Sequence, residues 1–307
     1  MSTSQKRYNT WNNHLRQHFG YKVFKVSLDG GFTCPNRDGT VAFGGCTFCS
    51  ESGSGDFAQS RLDPLPLQMA KGIKQMKIKW PNVDHYIAYF QNFTNTHAPV
   101  QVLRARFEQV LATEGLVGIM IATRPDCLPD ETVDYLAELN QQYYLWVELG
   151  LQTIHETTSQ HINRGHDYQT YLDGVAKLRQ HDIRVCTHLI NGLPGETYSM
   201  MMESLKTVVQ ESDIQGLKLH LLYLMEGAAM VRDYQTGYLQ LMEKTDYVNL
   251  VCDQLEYVPA DIVIHRLTGD APRELLIGPK WSIKKWEVLN AIDQELEKRG
   301  SYQGCRC

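Results

Sequence analysis

Between residues 23 and 224, short apolar runs alternate with stretches of roughly 10 to 20 residues whose apolar positions recur at helical spacing. The runs at 23–28, 86–90, 117–122, 144–149, 184–190 and 216–222 predict strands. Several are apolar nearly throughout, the pattern of parallel strands covered on both faces. Helices are predicted at 65–79, 100–114, 129–140, 168–181 and 198–211; the third has Pro129 in its first turn, with Asp130 and Glu131 placed to complement the helix dipole. This is the rhythm of βα units. Six of them predict an α/β fold in which a parallel sheet curls into a partial (β/α)6 barrel, although a doubly wound flat sheet has the same one-dimensional pattern. Beyond residue 224 the rhythm weakens: a last helix is expected over 284–298, after the irregular stretch LTGDAPRELLIGPKW and before the tail GSYQGCRC. The expected organisation is an N-terminal extension (1–22), a barrel (23–225) and a C-terminal extension (226–307) that packs on the barrel and offers substrate contacts.

A chain of 307 residues that is 43% hydrophobic can bury a full core. There is no run of about 18 apolar residues, and the polar, aromatic start MSTSQKRYNTWNNHLRQHFG lacks the apolar segment of a signal peptide, so a cytoplasmic protein with no membrane partner is expected. The formal charge of −5 argues against gripping nucleic acid by global electrostatics. Local patches remain: four lysines lie between Lys71 and Lys79, and Arg266, Arg273, Lys280, Lys284 and Lys285 follow one another near the C-terminus. Runs of this kind are commonly solvated faces. Eight cysteines without a secretory signal point to reduced thiols and metal ligation rather than to disulfides.

The segment that carries the chemistry is DGGFTCPNRDGTVAFGGCTFCS, residues 29–50, directly after the first predicted strand. In either sheet architecture the C-terminal strand ends form the functional face, so this loop lies where reactions are usually placed. Its cysteines, Cys34, Cys46 and Cys49, are spaced C-x11-C-x2-C, with glycines between them that let the backbone turn three thiolates toward one small object. Three ligands leave one iron of a [4Fe-4S] cubane open, whereas an electron-transfer cluster is normally closed by four. A structural zinc site is the rival reading, but it wants a fourth ligand at short range. Cys127, Cys186 and Cys252 stand singly in predicted elements and read as small buried hydrophobes, and Cys305 and Cys307 as tail thiols.

Taken with AYFQNFTNT at 88–96, ATRPDCLPD at 122–130, WVELGLQT at 146–153, INRGHDYQTY at 162–171, HLINGLPGET at 188–197 and LKLHLLYL at 217–224, the cysteine segment resembles the radical S-adenosylmethionine (SAM) superfamily. Within it, the chain resembles the YhcC/YtqA-type branch, related to the Elp3 radical domain. The resemblance implies a [4Fe-4S] cluster on Cys34, Cys46 and Cys49, with SAM chelated at the open iron and shielded by Phe48. It further implies Glu148 and Gln152 at the ribose, Arg164 at the methionine carboxylate, and the strand ends around Ile190 and Leu222 at the adenine. The superfamily's usual C-x3-C-x2-C spacing is stretched here, as the branch shares, and its GGE-like motif is replaced by YFQNFTNT, which leaves Gln91 or Asn92 for the methionine amino group.

The resemblance also implies a substrate, the wobble uridine of a tRNA anticodon loop, whose carboxymethylaminomethyl group becomes aminomethyl. Such an enzyme would draw on an electron donor such as flavodoxin or ferredoxin and could feed a downstream methyltransferase; the sequence itself identifies neither partner. Lys218 and His220 alternate on the last predicted strand and face one side, where they could meet substrate as catalytic groups; Tyr89, Arg124, His188 and Arg266 are further candidates, and Trp281 and Trp286 could stack on bases. Two rivals stay open from the residues alone: radical chemistry on a small metabolite or protein side chain, and a zinc-holding RNA- or protein-binding module without catalysis.

Overall fold

The computed structural model describes residues 6–53 and 55–307. Six strands, β1 (Phe24–Leu28), β2 (Tyr86–Phe90), β3 (Leu116–Thr123), β4 (Tyr144–Gln152), β5 (Arg184–Asn191) and β6 (Gly216–Leu221), appear where the apolar runs predict them. They pair in chain order, every neighbour parallel, and a further strand from the C-terminal part, β8 (Val263–Arg266), joins beside β6. A doubly wound sheet reverses its strand order at a switch point. This one does not, and its order is that of an open half-barrel wrapped by helices.

The helices α2 (Leu65–Lys79), α3 (Val100–Leu111), α4 (Asp130–Gln142), α6 (Tyr168–Arg179) and α7 (Tyr198–Glu211) follow the expected periodicity, and α10 (Lys285–Arg299) closes the chain. The βα rhythm, which weakens in the sequence beyond residue 224, continues for one more unit: α9 (Lys244–Glu256) buries Tyr247, Leu250, Val251 and Leu255, and leads into β8. Short elements complete the set: α5 (Glu156–His161), α8 (Val231–Gln235), and an antiparallel ribbon of β7 (Leu224–Met225) with β9 (Leu276–Gly278). The main core lies between the outer face of the sheet and the helices.

The N-terminal extension, whose first five residues lie outside those described, is not a loose appendage. Its helix α1 (Trp11–Phe19) starts at Thr10, whose side chain accepts from the Asn13 amide, and ends at Gly20 in the left-handed region (φ 79°). Leu15, Trp11 and Phe19 pack against Ile87, Tyr144, Trp146 and Val263 inside the barrel. The Trp11 ring stands 4.2 Å from that of His265 and 5.4 Å from that of Trp146. α1 therefore stops the end of the barrel opposite the cysteine loop.

Parallel register then fixes what shares the barrel interior above this plug. Glu148 lies beside Cys186, His188 beside Lys218, and Ile190 beside His220. Between β6 and β8 the pairing jumps from Leu217–Ile264 to Lys218–Arg266, so His265 is the extra residue of a bulge.

Candidate active site

The cysteine loop is braced from the far side of the barrel. Asn36, fully buried, donates through Nδ2 to the carbonyls of Asn163 and Arg164 and to Cys46 Sγ at 3.8 Å. Asn163 answers by donating to the Gly45 carbonyl at 2.8 Å. Gly45 adopts φ 79°, and a Cβ there would meet Arg37 Nε at 2.8 Å, so both backbone and space require glycine. The neighbouring Cys49 thiol, with the nearby charges of Arg124 and Arg164, draws the Cys46 thiol down to about 7, while Cys49 is pushed up by Cys46 and by burial.

Cys34, Cys46 and Cys49 line one cavity of ≈ 270 Å³ that runs into the barrel. Among the described residues the one trio of ligating atoms lying all within 4.8 Å of one another is Glu148, Cys186 and His265, so the three loop thiols are more widely spread than that. Zinc bound at ~2.3 Å by each sulfur sets tetrahedron edges of about 3.8 Å. A cubane that offers a different iron to each cysteine suits the wider arrangement. The donor set and spacing therefore fit an iron–sulfur cluster better than zinc.

Of the residues singled out in the sequence, Phe48, Gln91, Glu148, Gln152, Ile190, Lys218, His220 and Leu222 line this cavity with the cysteines, as do Tyr89, Arg124, His188 and Arg266. Two expected cofactor residues do not. Asn92 turns away and donates to Asp29 Oδ2 at 3.0 Å, because Asp29 at the end of β1 is buried and needs a donor. Arg164 is fully buried, and its guanidinium donates to the carbonyls of Leu151 (2.6 Å), Thr153 and His166 (2.9 Å). Its own carbonyl accepts from Arg124 at 2.6 Å, so Nε and Nη1 of Arg164 bracket the turn after β4, while Nη2 is buried with no hydrogen-bond partner. Trp281 is committed to the Met242 carbonyl at 3.0 Å, while Trp286 is 69% exposed. Cys127, Cys186 and Cys252 are buried, and Cys305 and Cys307 exposed, in keeping with their expected roles.

The inner wall is a polar network. Glu148 Oε2 accepts from Lys218 Nζ at 2.6 Å and from Tyr89 Oη at 2.5 Å, and Lys218 and Tyr89 are 3.0 Å apart. Burial works against the Glu148 charge, but Lys218, the imidazole of His265 and Lys25 together hold its pKa well below the usual carboxylate value. Burial, with Lys218 and Arg266 beside them, lowers Lys25 to about 7. His188 falls to about 3 through burial and Lys218, and His220 is likewise depressed by burial, His188 and Arg266. Both imidazoles are thus neutral in the working range. His188 Nε2 is buried with no hydrogen-bond partner. Sequence reasoning passed over Lys25 and His265, which only the closure of the barrel brings to Glu148.

Residues 34–208 match the Radical SAM superfamily, and residues 214–298 match the Radical_SAM C-terminal domain. The chain belongs to the radical SAM superfamily. It is a radical SAM enzyme, and its cofactors are a [4Fe-4S] cluster and SAM. It is 63% identical over 303 residues to YtqA of Bacillus subtilis, covering 99% of this chain and 94% of YtqA. It is 22% identical over 193 residues to the tRNA uridine(34) acetyltransferase of Methanocaldococcus jannaschii, covering 62% of this chain and 34% of that protein. The solved structure of Elp3 from Methanocaldococcus infernus shares the fold at a TM-score of 0.71 and 17% identity, over 92% of this chain and 64% of that one. No helix among the described residues is long and apolar enough to cross a membrane.

Proposed function

We propose that Cys34, Cys46 and Cys49 hold the cluster, that Phe48, Gln91, Gln152, Ile190 and Leu222 hold SAM, and that the substrate is the wobble uridine of a tRNA, whose 5-carboxymethylaminomethyl group is shortened to aminomethyl. The observation that carries this reading is the charge of the inner wall in the cavity the cysteines share: beside the Lys218–Glu148 ion pair stands Arg266, which has no ion pair among the described residues. That surplus suits a substrate side group ending in an anion. The likeness to a protein named for tRNA uridine 34, and the fold shared with Elp3, supports the choice of nucleoside.

When bound, the cluster and SAM would supply a 5′-deoxyadenosyl radical able to take one hydrogen atom from the methylene between nitrogen and carboxylate. An electron donor of the flavodoxin or ferredoxin type would supply the one electron that SAM cleavage consumes; oxidation of the substrate radical would return one electron to that same carrier and, with loss of the amine proton, give an imine. Water then divides it into the aminomethyl group and a two-carbon oxo acid. The chain's own part is binding, orientation and exclusion of water. His188, neutral and with Nε2 buried without a partner, would hydrogen-bond the substrate amine, accepting from its N–H in the tautomer that carries the ring hydrogen on Nδ1. Ile190 and Leu222, in one apolar cluster with Phe48 packed against it, keep the radical from solvent. A methyltransferase acting on the aminomethyl product is the partner this chemistry would feed.

The test is anaerobic purification, then incubation with SAM, a reductant and tRNA bearing carboxymethylaminomethyluridine, with nucleosides read by mass spectrometry and Cys46→Ala as control. Aminomethyluridine from the wild type alone supports the reading. Formation of 5′-deoxyadenosine with the nucleoside unchanged would reject the tRNA substrate; the same result with product from a small amine acid would favour the metabolite alternative.

A further inference from the structure

The cations of the cavity differ in what already holds them. Lys218 is neutralised by Glu148, Arg124 is clamped by both oxygens of Asp126 at 2.9 and 2.6 Å, and Arg37 donates to the carbonyls of Ser50 and Glu51. Arg266 has no ion pair among the described residues. Its side-chain contact is a hydrogen bond from the guanidinium to His220 Nε2, at 3.3 Å.

Two local features aim it. By simple alternation along β8, Ile264 and Arg266 would share the outer face and His265 would point inward. Ile264 does pack into the outer core, and His265 lies inside against Trp146. The bulge at His265 resets the alternation, so that Arg266 pairs with Lys218 and also lines the cavity. The second feature is the tautomer of His220. Its Nδ1 is 2.8 Å from the Leu221 carbonyl, which can only accept, so the ring hydrogen sits on Nδ1 and the Nε2 lone pair is left to receive from Arg266. The imidazole is kept uncharged, so it orients the guanidinium without competing for its charge.

We infer that Arg266 is the residue that reads the substrate's carboxylate, with His220 as its positioning residue, and that together they restrict the enzyme to wobble-uridine side groups ending in an anion. The inference rests on the tRNA reading above and adds the specificity determinant. One lone guanidinium, fork-shaped and rich in donors, matches one carboxylate in both charge and geometry. Lys218, assigned from the sequence to meet substrate, instead sets the ionisation of Glu148.

The experiment compares two substrates that differ only in that group: tRNA bearing carboxymethylaminomethyluridine, and the same tRNA with the carboxylate replaced by a carboxamide. The wild type is expected to prefer the carboxylate by roughly 100-fold in kcat/KM, the scale on which a site built for a charged partner rejects its neutral isostere. Arg266→Met brings that ratio close to one, and Arg266→Lys leaves an intermediate ratio. His220→Gln, whose carbonyl can still accept from Arg266, retains more of the preference than His220→Leu, and the loss falls on KM rather than kcat. Retention of the full ratio by Arg266→Met, or by Arg266→Lys where the methionine variant does not fold, overturns the assignment of Arg266 while the tRNA reading stands. A wild type that converts neither tRNA overturns both. Equal losses in His220→Gln and His220→Leu remove the positioning role.

Discussion

Lys218→Met leaves Glu148, 4% exposed, with Tyr89 as its close donor and no cation in contact. Stranding one member of a buried ion pair costs about 3 to 5 kcal/mol, because the remaining charge keeps its desolvation penalty after losing the attraction that offset it. Glu148→Leu strands Lys218, 6% exposed, at a similar cost. The double variant Glu148→Leu/Lys218→Met removes both penalties and refills the space with apolar atoms, so its stability should lie within about 1 to 2 kcal/mol of the wild type or above it. Lys25 also faces Glu148; with a pKa of about 7, held down in part by Lys218 itself, it is half charged at pH 7 and gains charge once Lys218 is lost, so the series belongs in a Lys25→Met background, where this third charge is absent. The assay is urea unfolding followed by far-UV circular dichroism, with the three variants and their Lys25→Met parent, in place of the wild type, closed into a double-mutant cycle. A double variant as unstable as the sum of the two single ones, roughly 6 to 10 kcal/mol, would refute the claim that Glu148 and Lys218 are held in the barrel by each other.

Three further outcomes are expected. The depressed pKa of Lys25, about 7 against 10.5, means that the unfolded chain binds more protons between those values; stability should therefore rise as pH increases from 7 toward 10, and Lys25→Met should flatten that slope in pH-dependent unfolding. Arg164→Met deprives the carbonyls of Leu151, Thr153 and His166 of a charged donor and should cost at least about 3 kcal/mol in urea unfolding, with reduced iron per chain because the same turn braces the cysteine loop. Cys46→Ala should lose iron on anaerobic reconstitution, whereas Cys127→Ala, which removes a buried thiol beside Asp126, should keep the wild-type iron content.

How much of this was legible depended on whether a feature is local in the chain. The strands of the barrel were, because a parallel strand covered on both faces must be apolar over its length, and β2 carries that signal from Tyr86 to Phe90 without interruption. The cysteine loop was, because ligand spacing survives in one dimension. α1 was not: its apolar residues Trp11, Leu15 and Phe19 form a single stripe in a polar segment, and the pointers to it were the cap at Thr10 and the glycine at position 20. Arg164 illustrates the harder case. A guanidinium near a binding site can serve a ligand or the backbone carbonyls of a turn, and only the path of residues 151–166 decides between them. The inward turn of Arg266 was equally hidden, since it depends on a bulge that exists in the pairing of β8 with β6 and not in either strand alone.

The packing of α1 into the far end of the barrel has a kinetic consequence. With Trp11 and Leu15 seated against Trp146, Tyr144 and Val263, the end of the barrel opposite the cysteine loop is closed, so passage along the barrel axis is by the cysteine-loop door. On the tRNA reading proposed above, an RNA laid across that door would lid whatever already rests beneath it. Turnover would then be a last-in, first-out queue: the small cofactor would load before the large substrate docks, and its spent fragments would wait for the RNA to lift away.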